Sequence, residues 1–330
     1  MPNDPEYLHF IATIEQSLSN VLHQTKSSSL TEAAKHLCLG KGGKRVRPHL
    51  VWSFSRCLQQ PLDTPRLVDI AVVAELIHSA SLMHDDVVDQ GSIRRGRPTV
   101  NVQWGNIVAV LAGDLLLTQA FVLLQPYPKH LTIEATATIA SMTEAAISEV
   151  EARSNLDQTP EEWRRVVEGK TGALFAWCGR AVANLAQDGK AGDAFVQCGL
   201  RLGVAFQLAD DLLDLIGTRT GKDRFSDLKN RETNFAVLSA AADSPDFRTA
   251  LLDLWDSDCS PPHVQKLGAK LAQSNTIPQT MRLLDSEIER ALSDLNKYQS
   301  SVGGLLIKEW AAQLRKRLEP ELFSAAADGV

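Results

Sequence analysis

The chain has 330 residues, a net charge of −6, a pI near 5.8 and no dense basic tract, which disfavours a nucleic-acid partner because phosphate backbones demand clustered Lys and Arg. Its five cysteines (Cys38, Cys57, Cys178, Cys198 and Cys259) are an odd number without a C-x-x-C pair, and Met1 to Asn20 shows no signal-peptide pattern; buried thiols in a cytoplasmic protein are expected. No Pro/Gly/Ser-rich linker divides the chain, so residues 1–330 are expected to form a single large domain.

Helical spacing of apolar residues runs through nearly the whole sequence. Thr31–Cys38 is predicted to be an amphipathic helix. The loop Gly40-Lys41-Gly42-Gly43-Lys44-Arg45-Val46-Arg47-Pro48 then combines glycines, which let backbone approach an anion, with clustered cations; that suits a diphosphate. Leu67–Val88 is apolar on nearly every side, like a helix surrounded by others, and it ends in Asp85-Asp86-x-x-Asp89. Carboxylates at i and i+4 lie on one helix face and repel unless a cation sits between them. An all-oxygen donor set selects a hard divalent ion such as Mg²⁺. Arg94, Arg95 and Arg97 follow within a few residues, where forked guanidinium groups can reach the same ligand.

Ile107–Leu124 is the most apolar stretch, but Gly113, Asp114, Thr118 and Gln119 interrupt it. It is predicted to be a buried helix, without stable membrane insertion. Thr132–Ala152 and Glu161–Ala186 carry one-sided apolar stripes, and Lys170 and Thr171 would project together from the second. Glu168-Gly169-Lys170-Thr171-Gly172 lacks the first glycine and the strand of a phosphate-binding P-loop. Asp193–Ile216 repeats the earlier pattern, apolar all round and ending in Asp210-Asp211-x-x-Asp214. Met281–Tyr298 is a further one-sided helix, and no stretch alternates as a strand does. The predicted class is all-α, a large helical bundle whose two core helices present carboxylates toward a shared central cavity.

A single D-D-x-x-D is more often a solvated acidic turn than a metal site. Two copies, each ending an apolar helix where an unpaired carboxylate is costly, favour metal. His78 and His84, on the first core helix, are by default satisfied buried histidines rather than ligands.

Six segments, Gly42 to Pro48, His78 to Asp89, Arg94-Arg95-Gly96, Gly113-Asp114, Lys170-Thr171 and Phe206 to Asp214, resemble in order the signature segments of trans-prenyl diphosphate synthases, over about residues 40–235. The resemblance implies the isoprenoid synthase fold, usually as a homodimer. It also implies an enzyme that joins an allylic prenyl diphosphate to isopentenyl diphosphate by Mg²⁺-assisted ionisation, condensation and proton loss. In the roles it implies, Asp85, Asp89 and Asp210, supported by Asp86, Asp211 and Asp214, hold the metal. Lys44, Arg47, His78 and Arg95 bind isopentenyl diphosphate. Arg94, Lys170, Thr171, Gln207 and Lys222 face the allylic diphosphate, with Lys170 and Gln207 joining Asp85, Asp89 and Asp210 in catalysis.

In that family a bulky aromatic one turn before the first acids blocks the growing tail. Ala80 and Ser81 are small, and the short spacing within Asp86-x-x-Asp89 points the same way, to a medium or long all-trans product. A short-chain synthase and a catalytically silent partner subunit are the alternatives. After the second acidic motif Lys222, Asp227 and Thr233 hold the family's places. A third basic position falls at Arg231 with one residue lost, and Phe235 stands where proline is common. Beyond Phe235 only helical periodicity is legible.

Overall fold

The structure, a computed structural model, describes residues 4–23, 26–40, 42–217, 224–257 and 259–327, with side chains as far as Leu318. In chain order its helices are α1 (Pro5–Leu22), α2 (Ser28–Cys38), α3 (Val46–Cys57), α4 (Thr64–Val88), α5 (Val100–Trp104), α6 (Asn106–Leu124), α7 (Lys129–Glu151) and α8 (Pro160–Val167). After a π-helical turn (Glu168–Gly172) come α9 (Ala173–Leu185), α10 (Gly189–Ile216), α11 (Ser226–Lys229), α12 (Phe235–Asp243), α13 (Pro245–Asp256), α14 (Pro261–Ala272), α15 (Thr276–Asp294) and α16 (Val302–Ala327). Among the described residues the only strands are β1 (Ile93–Arg94) and β2 (Arg97–Pro98), an antiparallel hairpin pairing Ile93 with Pro98 and Arg94 with Arg97.

Two compact units make up the chain. The first contains residues 1–139, 174–196 and 295–307. α4 is its centre, packed by α1, α2, α3 and α6. The Asp63 side chain caps α4 by accepting from Arg66 N, and Pro65 sits in the first turn, where its missing N–H costs nothing. Almost every residue from Leu67 to Ile77 is buried, because an apolar surface on all sides finds stability only inside other helices. α3 begins inside the predicted basic loop: Arg45 takes a left-handed backbone (φ 46°), and Pro48 is tolerated in the first helical turn.

The second unit contains residues 140–173, 197–294 and 308–330. Here the predicted helix Glu161–Ala186 is interrupted by the π turn. Arg164 holds that turn in place, pairing with Glu168 at 2.8 Å and, through two nitrogens, with the fully buried Glu287 of α15 at 2.8 and 2.9 Å. The turn also lies against α10 with no room for a side chain, since a Cβ on Gly203 would sit 2.4 Å from the Gly172 Cα. Phe225, in a left-handed conformation, fills the space left by Gly268 of α14, and Trp255 Nε1 donates to the Leu228 carbonyl at 2.9 Å.

α6 departs from expectation. Both α4 and α6 are long and apolar enough to cross a membrane, yet 72% of the α4 window is buried against only 33% of the α6 window. Ile107 (77% exposed), Val110, Leu111 and Val122 share one outward face.

Candidate functional site

In the first unit the acids stand at the C-terminal end of α4, where the helix dipole is itself negative. Asp85 and Asp89 keep partly exposed side chains. Asp86 is buried and is held by Arg94, whose Nε reaches both carboxylate oxygens at 3.0 and 3.1 Å and whose Nη2 reaches Oδ1 at 2.8 Å. The hairpin thus exists to carry Arg94 back to the helix that precedes it. Gly42, at φ 95°, lies against the Arg95 side chain, so Arg95 crosses the glycine loop.

Arg45 turns away from this surface, donating to Glu15, to the buried Glu75 and to the Cys38 carbonyl. By tying α1, α2 and α4 to the loop, it leaves Lys44 exposed on the loop and Arg47 stacked over the Phe175 ring at 5.2 Å. His78 is held well below the ordinary imidazole range, first by burial and then by the charges of Arg47, Arg95, Arg94 and Arg45. It is therefore a neutral hydrogen-bonding group beside a cluster of cations. His84 packs onto Gly113, where a Cβ would lie 2.3 Å from its Nε2, and meets the Val110 carbonyl at 3.2 Å. Arg47, Arg94 and Arg95 are accordingly gathered near His78 in the first unit, with Lys44 on the loop that leads to Arg47.

In the second unit the π turn presents Lys170 and Thr171. Lys170 makes a close ion pair with Glu149, and Thr171 donates to Gln207 at 3.2 Å. Gln207 in turn donates to Asp211 Oδ1 at 2.8 Å. Asp210 is exposed; Asp211 is buried, and its Oδ2 accepts no hydrogen bond. Asp214 anchors the following loop, accepting from Ser226 N at 3.0 Å, from Asp227 N at 3.3 Å and from the Ser226 hydroxyl. Lys222 lies outside the described residues.

Asp227, Glu232 and Asn234 also line this pocket, and the sequence reading assigned them no role. Burial, then repulsion from neighbouring acids including Glu232, pushes the carboxyls of Asp211 and Asp227 well above the ordinary range. Arg231, the third basic position expected from the sequence, stays at the surface. Arg231 is exposed and left-handed (φ 64°), with its carbonyl accepting from Ser154 N at 3.0 Å, and the residue that enters the pocket is Glu232. Asn234 fixes this register by capping α12, accepting from Val237 N at 3.0 Å. An Asn directly before the apolar run Phe235 to Leu238 was the signal available in the sequence.

Among the described residues no three His, Cys, Asp or Glu side chains are gathered closely enough to cage a metal ion. Mg²⁺ does not require such a cage, since it is usually held by one or two carboxylates together with water and substrate phosphate oxygens. The unpartnered Asp211 oxygen and the purely oxygen donor set fit it. Ala80 is buried in the core (1% exposed), whereas Ser81 keeps some exposed surface.

Comparison with known proteins agrees with the sequence motifs and extends them at both ends. The polyprenyl synthetase family model matches residues 27–270, beyond the 40–235 expected. The chain is 30% identical over 319 residues to a geranylgeranyl diphosphate synthase of Saccharolobus solfataricus, covering 92% of this chain and 91% of that one. It is likewise 30% identical over 314 residues to heptaprenyl diphosphate synthase component 2 of Geobacillus stearothermophilus, covering 93% and 95%. A polyprenyl synthase from Caulobacter crescentus, solved in complex with calcium and isoprenyl diphosphate, superposes with a TM-score of 0.86 at 25% identity over 92% of this chain and 93% of that one. With an all-α architecture, acids ending two apolar helices and a family match across most of its length, the chain belongs to the polyprenyl synthetase family.

Proposed function

We propose that the protein joins an allylic prenyl diphosphate to isopentenyl diphosphate, repeating the step to a medium or long all-trans polyprenyl diphosphate, within one domain spanning residues 1–330 and in the cytoplasm. The observation that carries this reading is in the first unit, where Arg94 clasps Asp86 between Asp85 and Asp89 at the end of α4 and, with Arg47 and Arg95, acts on a neutral His78.

Lys44, Arg47, Arg95 and His78 hold the diphosphate of isopentenyl diphosphate. Arg94, Lys170, Thr171 and Gln207 donate to the allylic diphosphate, and Lys222 is assigned there on the family pattern. Asp85, Asp89 and Asp210 are the principal ligands for Mg²⁺, supported by Asp86, Asp211 and Asp214. When bound, the metal neutralises charge building on the leaving diphosphate. The allylic C1–O bond breaks with its electron pair on the diphosphate, and apolar walls keep water from the cation. The double bond of isopentenyl diphosphate, held close, attacks that cation. A proton then passes to the released diphosphate, and the product is one isoprene unit longer.

Purified protein with Mg²⁺, labelled isopentenyl diphosphate and primers of several lengths, its products resolved by mass, tests the reading. Products longer than twenty carbons are expected, and Ser81→Phe is expected to shorten them. No condensation with any primer, alone or with a partner chain, would sink it. The similarity to a geranylgeranyl diphosphate synthase supports a second reading, a twenty-carbon product, which the same assay distinguishes.

We also propose a homodimer, in which a second copy covers the apolar face of α6. The support is that Ile107, Val110, Leu111 and Val122 form one exposed stripe, an arrangement that water disfavours. Leu111→Glu should yield a monomer in sedimentation experiments; an unchanged mass in the variant, or a monomeric parent, refutes it.

A further inference from the structure

Glu287, in α15, is a carboxylate wholly out of solvent (0% exposed) and far in sequence from every motif of the site. Among the described residues three arginines face it. Arg164 of α8 donates to both of its oxygens, at 2.9 and 2.8 Å, while Arg201 of α10 and Arg290 of α15 each stand 3.7 Å away. Arg201 is steered by Asp294, which accepts from its Nε at 2.7 Å. Arg164 also donates to Glu168, the first residue of the π turn, at 2.8 Å. One buried carboxylate therefore joins two elements: the π turn, which carries Lys170 and Thr171, and α10, which carries Gln207 and the second acidic motif.

Stability is a weak reason for such an arrangement, because taking a carboxylate out of water is costly and packed apolar side chains of similar volume often serve as well or better. What a forked ion pair adds is position: it accepts one relative setting of its partners, where an apolar contact tolerates many. A π turn needs that constraint, since the extra residue it holds could be absorbed by rephasing into regular helix. Register matters at this point of the fold. Gly172 meets Gly203 with no room for a Cβ, and Thr171 donates at 3.2 Å to Gln207, whose amide donates at 2.8 Å to the buried Asp211.

We propose that Glu287 is a positioning residue for the diphosphate end of the allylic substrate. Through Arg164 and Arg201 it locks the π turn against α10, and so keeps Lys170, Thr171 and Gln207 in the setting in which they act on one ligand. It touches no ligand itself. This deepens the proposed function and rests on it for the identity of that ligand.

Two variants separate position from stability: Glu287→Gln, which keeps the shape and removes the charge, and Arg164→Met/Glu287→Met, which exchanges the pair for apolar side chains. The double variant should unfold in urea no earlier than the parent, so at least one variant reports on folded protein. In both, KM for the allylic diphosphate should rise on the order of ten- to a hundredfold, the cost of misplaced contacts. KM for isopentenyl diphosphate, assigned to residues of the first unit, should stay as in the parent. A loss of folded protein alone would lower kcat and leave both KM values unchanged. Amide exchange, which needs no turnover, should quicken over Glu168–Gly172 in both variants while that of α4 holds. Unchanged exchange in the turn, or an unchanged allylic KM in both variants, overturns the role of Glu287. A parent without turnover removes the proposed reaction, and exchange in the turn then decides the positioning by itself.

Discussion

The same five-residue acidic motif occurs in two electrostatic settings. At the end of α4 the protein supplies the counter-charge: Asp86 is clasped by Arg94, and Arg45, Arg47 and Arg95 all act on His78. At the end of α10 no described arginine or lysine clasps the buried Asp211. Asp211 and Asp227 are pushed toward their protonated forms by burial and by neighbouring acids, and the pocket's described lysine is joined to Glu149. Among the described residues, the buried acid of the first motif is clasped by a guanidinium, while that of the second is bonded at one oxygen by the Gln207 amide. Identical sequence spacing therefore does not fix chemical state; the residues that fold back onto the motif do.

The largest test is catalytic. Asp85→Asn and Asp210→Asn should each lower kcat on the order of 10²–10³-fold, the usual cost of losing one electrostatic contact to a developing charge. Full turnover in either variant breaks the parallel between the clusters. Next, Arg94→Ala strands the buried Asp86 and should cost about 3 kcal/mol in urea unfolding. Lys170→Ala, in the other unit, should cost less than about 1 kcal/mol, since its partner Glu149 is partly solvated. Equal losses would contradict the contrast. Gly203→Ala should destabilise by about 1–3 kcal/mol by pressing α10 off the π turn; unchanged stability would show that the turn yields.

The smallest effect is a difference of sign with pH, read by amide exchange in each unit. His49, in α3, is lowered from 6.5 to about 4 by burial. Its contribution to stability is present above 6.5 and lost as pH falls toward 4, so α3 should loosen on acidification. Asp211 and Asp227 are raised above 3.8, so their contribution is present below 3.8 and declines as pH rises through the raised values. α10 and α11 should loosen in that direction in metal-free protein, and added Mg²⁺ should flatten the trend. Parallel slopes in both units would remove the contrast.

The two core helices were readable because an all-round apolar run ending in acids has few physical outcomes. α3 was hidden by Gly40 to Pro48, which reads as a loop although Val46, Arg47 and Pro48 already form a helical turn. The hairpin at Ile93 to Pro98 is too short for a two-residue period to register. Nothing in composition separates a π turn from an α turn at Glu168 to Gly172; what sets it is packing against Gly203 and the anchoring of Arg164 by Glu287, 123 residues away. That Glu232 lines the pocket was not legible, because the left-handed backbone at Arg231, which sets the face Glu232 presents, is decided by the fold and not by residue type. The exposed side of α6 was invisible for a simpler reason: an apolar stripe reads alike whether its cover is the same chain or another.

The π turn has a further consequence for how this protein tolerates change in length. A five-residue bulge holds one residue more than an α-helix needs over the same rise. Deleting a single residue from Glu168–Gly172 would let α8 and α9 fuse into an unbroken helix, preserving most backbone hydrogen bonds. The cost would appear as rotation: about 100° per residue separates the two phasings, enough to swing Lys170 and Thr171 off the face that meets Glu149 and Gln207. Such a deletion should leave a well-folded protein that has lost its grip on ligand.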